Sequence, residues 1–99
     1  MNSNVRSYMN PIDAERTGKC VYRLLKEEGY SARAVAGILG FEEPQAVYNW
    51  KYGKRMPNID NLDRISRLLN ISVNDLLVHV DDEEVSMFCT TYQYIFWNL

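Results

Sequence analysis

The chain reads Ser31-Ala-Arg-Ala-Val-Ala-Gly-Ile-Leu-Gly40, then Phe41-Glu-Glu-Pro-Gln-Ala-Val-Tyr-Asn-Trp50, then Lys51-Tyr-Gly-Lys-Arg-Met-Pro57. This stretch spells two short helices around a tight turn. Ser31 is a good N-cap, and Val35, Ala36 and Leu39 then recur on one face. Gly40 supplies the positive φ that a sharp inter-helix turn requires. Glu43-Pro44 opens the next helix, with Pro44 at the first helical position and the acids Glu42 and Glu43 near the positive dipole end. Val47 and Trp50, three apart, face the core, and Gly53 stops the helix.

Upstream, Asn10-Pro11-Ile12-Asp13 predicts an N-cap, a proline at the first helical position and an acid in the first turn. A helix follows to about Glu28, carrying Val21, Leu24 and Leu25, and Gly29 ends it. Gly18 within it costs ~1 kcal/mol against alanine and predicts a bend or fraying there. Downstream, Met56-Pro57-Asn58 starts a fourth helix with the stripe Leu62, Ile65, Leu68 and Leu69, ended by Asn70. Ser72-Val-Asn-Asp75 caps a short fifth helix bearing Leu76 and Leu77. Residues 1–10 read as a flexible arm, 11–78 as the domain and 79–99 as a C-terminal extension.

The 99 residues are 46% hydrophobic and 24% charged, the composition of one ordinary globular domain. No stretch reaches the ~18 apolar residues of a membrane span, and the first residues lack the apolar core of a signal peptide, so a cytoplasmic protein is expected. Cys20 and Cys89 form no metal or redox spacing and are expected as free thiols, at least one of them buried. His79 stands alone. No nucleophile–base pair, metal-ligand cluster or phosphate-cradling glycine loop is present in the sequence, so neither enzyme activity nor a cofactor is expected.

The net charge is −2, but it is unevenly spread. All 11 Lys and Arg lie between Arg6 and Arg67, and up to Val78 they face nine acids, a balance of +2. Residues 79–99 carry Asp81, Asp82, Glu83 and Glu84 and no base, a balance of −4. Five of the 12 aromatics crowd into the last 12 residues: Phe88, Tyr92, Tyr94, Phe96 and Trp97. This composition suits a strand. The spacing of Val85, Phe88, Cys89, Tyr92, Ile95 and Phe96 suits one face of a helix, which is the preferred reading, with a strand left open. A five-helix unit already closes its core, so these side chains pack on its outside or against a partner.

The order Gly29-Tyr-Ser31, Val35-Ala36, Leu39-Gly40, Val47-x-x-Trp50, Gly53-Lys54-Arg55-x-Pro57 and Ile71-Ser-Val-Asn-Asp-Leu-Leu77 resembles the Cro and phage-repressor (Xre-like) helix-turn-helix family. The resemblance runs from Thr17 to Leu77. It implies an all-α, five-helix lambda-repressor-like DNA-binding fold, here followed by the aromatic extension, and it implies that the second helix of the pair enters the DNA major groove. Carried onto this chain, the base-reading positions are Gln45, Ala46, Tyr48 and Asn49. Gln and Asn match the adenine edge and Ala the thymine methyl, while no Arg lies there to read guanine. Phosphate contacts fall to Arg33, Lys51, Lys54 and Arg55.

The chain departs from the family in three places. Gly40 to Val47 is seven residues where the family has six, so one extra residue sits in the turn. Ala32 stands where a phosphate-holding Gln is common. Leu25 and Lys51 occupy places that often hold an Arg–Glu pair, which leaves Lys51 to face the DNA backbone. Repressors of this family commonly dimerise through a C-terminal extension, which points to Phe88, Tyr92, Tyr94, Ile95, Phe96 and Trp97 as a dimer surface. The expectation is therefore a small homodimeric repressor of double-stranded DNA. The rival, from another class, is a protein-interaction module that uses its acidic helix start and aromatic tail.

Overall fold

The computed structural model describes residues 8–82, and these are helical throughout apart from turns and one isolated bridge. Four α-helices, α1 (Ala14–Glu27), α2 (Ala32–Leu39), α3 (Gln45–Lys51) and α4 (Ile59–Leu69), are followed by a 3-10 helix, Val73–Leu76. The fifth helix expected from the sequence is thus this single 3-10 turn. Ser72 and Asp75 close a reciprocal capping box around it. The aromatic segment and its helix-or-strand choice lie outside the described residues.

α1 begins at Ala14, not at Pro11. Its N-cap is Asp13, whose carboxylate accepts the Arg16 N–H at 3.0 Å. The preceding residues are drawn into an extended pairing with the chain after the 3-10 helix. Ile12 bridges His79, the Asp13 N–H donates to the Val78 carbonyl at 2.7 Å, and the Val80 N–H donates to the Pro11 carbonyl at 2.8 Å. Asn10 uses its side-chain oxygen on the Asp81 N–H at 2.9 Å and does not cap a helix. Thr17 completes this closure: its buried hydroxyl donates to the Val78 carbonyl and accepts the Val78 N–H at 2.9 Å.

The core contains the side chains that helical spacing picked out. Val21, Leu24 and Leu25 of α1, Val35, Ala36 and Leu39 of α2, Val47 and Trp50 of α3, Leu62 and Ile65 of α4, and Leu76 are all buried. Leu68, Leu69 and Leu77 pack on its edge. Cys20 is wholly buried too, but it is disulfide-bonded and not the free thiol expected. Its bonding partner lies outside the described residues. Cysteine spacing along the chain carries no information on what the fold brings together in space.

Gly18 neither bends nor frays α1. It is buried, and a Cβ built there would collide with the Arg55 carbonyl oxygen and stand 3.2 Å from that of Trp50. The end of α3 and the loop after it therefore lie directly on the α1 backbone. A methyl at this position gains about 1 kcal/mol of helix propensity but overpacks a contact between two backbones, where crowding costs about 1–3 kcal/mol. Gly18→Ala should lower stability by about 1–2 kcal/mol in a denaturant melt. A higher midpoint would mean that the loop yields freely.

Candidate nucleic-acid interface

The turn and α3 are built from the inside out. Gly40 adopts the left-handed conformation, φ 82°, and the Phe41 N–H returns to the Ala36 carbonyl at 2.8 Å, closing α2. The extra residue of the turn is absorbed between Phe41 and Pro44. Phe41 folds inward and sets its ring edge-on to Trp50, centroids 6.2 Å apart at 71°. Pro44 is the N-cap of α3 and not its first residue, so the helix starts one residue later than expected, and no side chain caps it there. Val47 and Trp50 still reach the core, so the lengthened turn leaves the anchor points of α3 in place.

With these two side chains inward, helical geometry fixes the rest. Gln45, Tyr48, Asn49 and Tyr52 fall within about 100° of arc on the outer side. Gln45, Tyr48 and Tyr52 are exposed and Asn49 is half-buried. Gln45 Nε2 donates to Asn49 Oδ1 at 3.1 Å, one helical turn along. Ala46 sits on the flank of this stripe. It lines a recess of about 260 Å³ with Phe41, Asn49, Met56, Pro57 and Asn58. Tyr52, which the sequence suggests as a half-buried core edge, is 59% exposed and belongs to the outer stripe. Its spacing of seven from Gln45 is the signal that could have found it. Tyr22 and Tyr30 are half-buried, as expected.

Four basic side chains lie in the helix pair and the loop after it. Arg33 is exposed in the first turn of α2, whose N-cap Ser31 accepts the Ala34 N–H at 3.1 Å. Lys54 and Arg55 are exposed in the loop after α3, with both backbone N–H groups donated to the Asn49 carbonyl at 2.9 and 3.3 Å. Among the described residues none of these three side chains forms an ion pair, so their charge is available to a ligand. Lys51 is held differently. Its Nζ lies 5.6 Å from the Tyr22 ring centre and 5.3 Å from that of Tyr52, a cation–π arrangement on the α1 flank. Between Ser31 and Pro57 four bases stand against two acids, Glu42 and Glu43, both exposed ahead of α3.

His79 is engaged in a turn: its N–H donates to the Asp82 carboxylate at 2.8 Å. No group of three or more His, Cys, Asp or Glu able to hold a metal occurs among the described residues. No described helix is long and apolar enough to cross a membrane.

A two-helix unit whose second helix is pinned by a buried indole and followed by exposed cations defines a class of protein. A helix-turn-helix family model matches residues 21–76, more than half of the chain, from within α1 through the 3-10 helix. The chain belongs to this Cro/C1-type (Xre-like) family, a family of DNA-binding regulators. No curated protein and no solved structure matches it.

Trp50 is 3% exposed and holds both α3 and the inserted turn through Phe41. Trp50→Ala should cost about 3–5 kcal/mol, the range for emptying a large aromatic site in a core. A denaturant midpoint equal to that of the parent would refute this anchoring role.

Proposed function

We propose that this protein is a sequence-specific repressor that lays α3 in the major groove of double-stranded DNA and blocks polymerase by occupying an operator. The observation that supports this best is the outer stripe of α3. Its polar amides and tyrosines face outward, and Lys54 and Arg55, which form no ion pair among the described residues, follow it in the loop after α3. Gln45, Ala46, Tyr48 and Asn49 then form the surface turned to the base edges, and Arg33, Lys51, Lys54 and Arg55 meet phosphates. The family's way of working supports the assignment, and a cytoplasmic site of action goes with it.

The reading includes a homodimer, with Phe88, Tyr92, Tyr94, Ile95, Phe96 and Trp97 as the self-association surface. Two copies related by a two-fold axis then match a two-fold operator. The exposed acids Glu42 and Glu43 at the start of α3 favour a second reading, in which the same face binds a protein partner, because they would repel phosphates.

Selection of random duplexes by the purified protein, read by sequencing, separates the two. The DNA reading expects an enriched palindromic motif rich in A·T. Failure to enrich any duplex over bulk would leave the protein-partner reading.

The dimer has its own test. Truncation after Asp82 keeps every described helix and the pairing of residues 78–80 with 11–13, and it turns the disulfide-bonded Cys20 into a buried free thiol, so the melting curve of the truncated chain is compared with that of the parent first. It removes the aromatic segment. The truncated chain should sediment as a monomer at micromolar concentration and lose more than about tenfold in operator affinity, because paired half-sites no longer share an effective concentration. A full-length chain that already sediments as a monomer would refute the dimer.

A further inference from the structure

The hydrogen bond from Gln45 Nε2 to Asn49 Oδ1, 3.1 Å long, ties together two side chains that the sequence offers as separate base readers. We propose that they form one reading unit for a single adenine, in which Gln45 touches the base and Asn49 is a positioning residue. This rests on the DNA-binding reading and assigns the work within it.

A primary amide nitrogen carries two hydrogens. With one of them on Asn49, Gln45 keeps the other, together with its own carbonyl oxygen. That remaining edge is a donor beside an acceptor, the complement of adenine N7 and N6–H in the major groove. Guanine presents acceptors at both places, so the Gln45 oxygen would face O6 with no hydrogen between them. Cytosine and thymine each offer a single polar group there. The unit therefore selects adenine and rejects guanine most strongly.

Asn49 suits the holding role because it is itself held. It is half-buried at the edge of the recess, while Gln45, at the first position of α3, is exposed and has the longer side chain. The Asn49 backbone carbonyl also accepts the N–H groups of Lys54 and Arg55, which fixes its place where the helix ends. Without this partner the Gln45 amide is free to rotate among its rotamers, and a flexible amide discriminates bases poorly.

The test is a set of full-length variants, each confirmed as folded by its melting curve and each passed through the same selection of random duplexes. Gln45→Ala should abolish adenine preference at one base pair per half-site, a loss of about 5- to 150-fold in discrimination. Asn49→Ala should weaken preference at that same base pair and no other. The double variant should be no worse there than Gln45→Ala. Asn49→Asp keeps the accepting oxygen, so it should retain the adenine preference even as overall affinity falls by repulsion from phosphate. Replacing that adenine by 7-deazaadenine, which lacks the N7 acceptor, should weaken parent binding and leave Gln45→Ala unaffected.

If the parent enriches a motif but the two single variants change preference at different base pairs, with additive effects, the proposal is overturned and the DNA reading stands. The proposal fails in the same way if Asn49→Asp behaves as Asn49→Ala. If the parent enriches no duplex, the DNA reading falls and this unit with it.

Discussion

The bare backbone at Gly18 is the constraint on which the candidate interface depends. Here the carbonyls of Trp50 and Arg55 approach α1 closely enough to exclude even a methyl group. One contact thus sets two things at once: the height of α3 above α1, and the path of the loop that carries Lys54 and Arg55. The carbonyl of Asn49 fastens the same loop from the other side by accepting the N–H groups of both residues. The stripe of α3 and the cations at its end are consequently one rigid piece, referenced to the longest helix of the domain. Such a piece can keep a fixed register on a duplex, which is what phosphate contacts contribute to recognition.

Much of this is legible in the sequence, and the parts that are not share a cause. Ser31, Gly40, Asn58 and Asn70 act locally through caps and left-handed turns, and the helices end where those residues place them. Val47 and Trp50 are identifiable as core by spacing alone. Sequence and structure part where a distant segment overrides a local signal. Asn10-Pro11 has the chemistry of a helix start, yet residues 78–81 claim its hydrogen-bonding groups and α1 begins only at Ala14. Gly18 reads as a weak helix position because its value lies in contact with residue 55, which propensity cannot register. Tyr52 reads as a half-buried core edge, yet it is exposed. Its position on the α3 wheel is the better guide.

The departures from the family pattern resolve in the same terms. An Arg–Glu pair bridging α1 and α3 is replaced by Leu25, which is 1% exposed, and by Lys51, held over Tyr22 and Tyr52. The apolar member fills the core and the cation moves outward to the rim. Neither position is then left with a buried charge lacking its partner, a condition that would cost several kcal/mol. The exchange also leaves the flank of α3 more positive than a neutral ion pair would. That partly offsets Glu42 and Glu43, which the longer turn carries exposed ahead of the helix.

That turn bears on the outer face of α3 as well as on its charge. Because Phe41 turns onto Trp50, the added residue is taken up before α3 and the helix keeps its anchors. Ala32, where a phosphate-holding Gln is common, leaves no side-chain amide at the start of α2. In this chain the amide at Gln45 finds its support within its own helix, from Asn49 one turn on. An amide steadied from inside its own helix does not depend on the angle between α2 and α3. The turn can therefore change length without disturbing the edge that Gln45 presents. The insertion and the loss of the α2 amide are thus compatible with each other, and the Gln45–Asn49 bond is the physical reason.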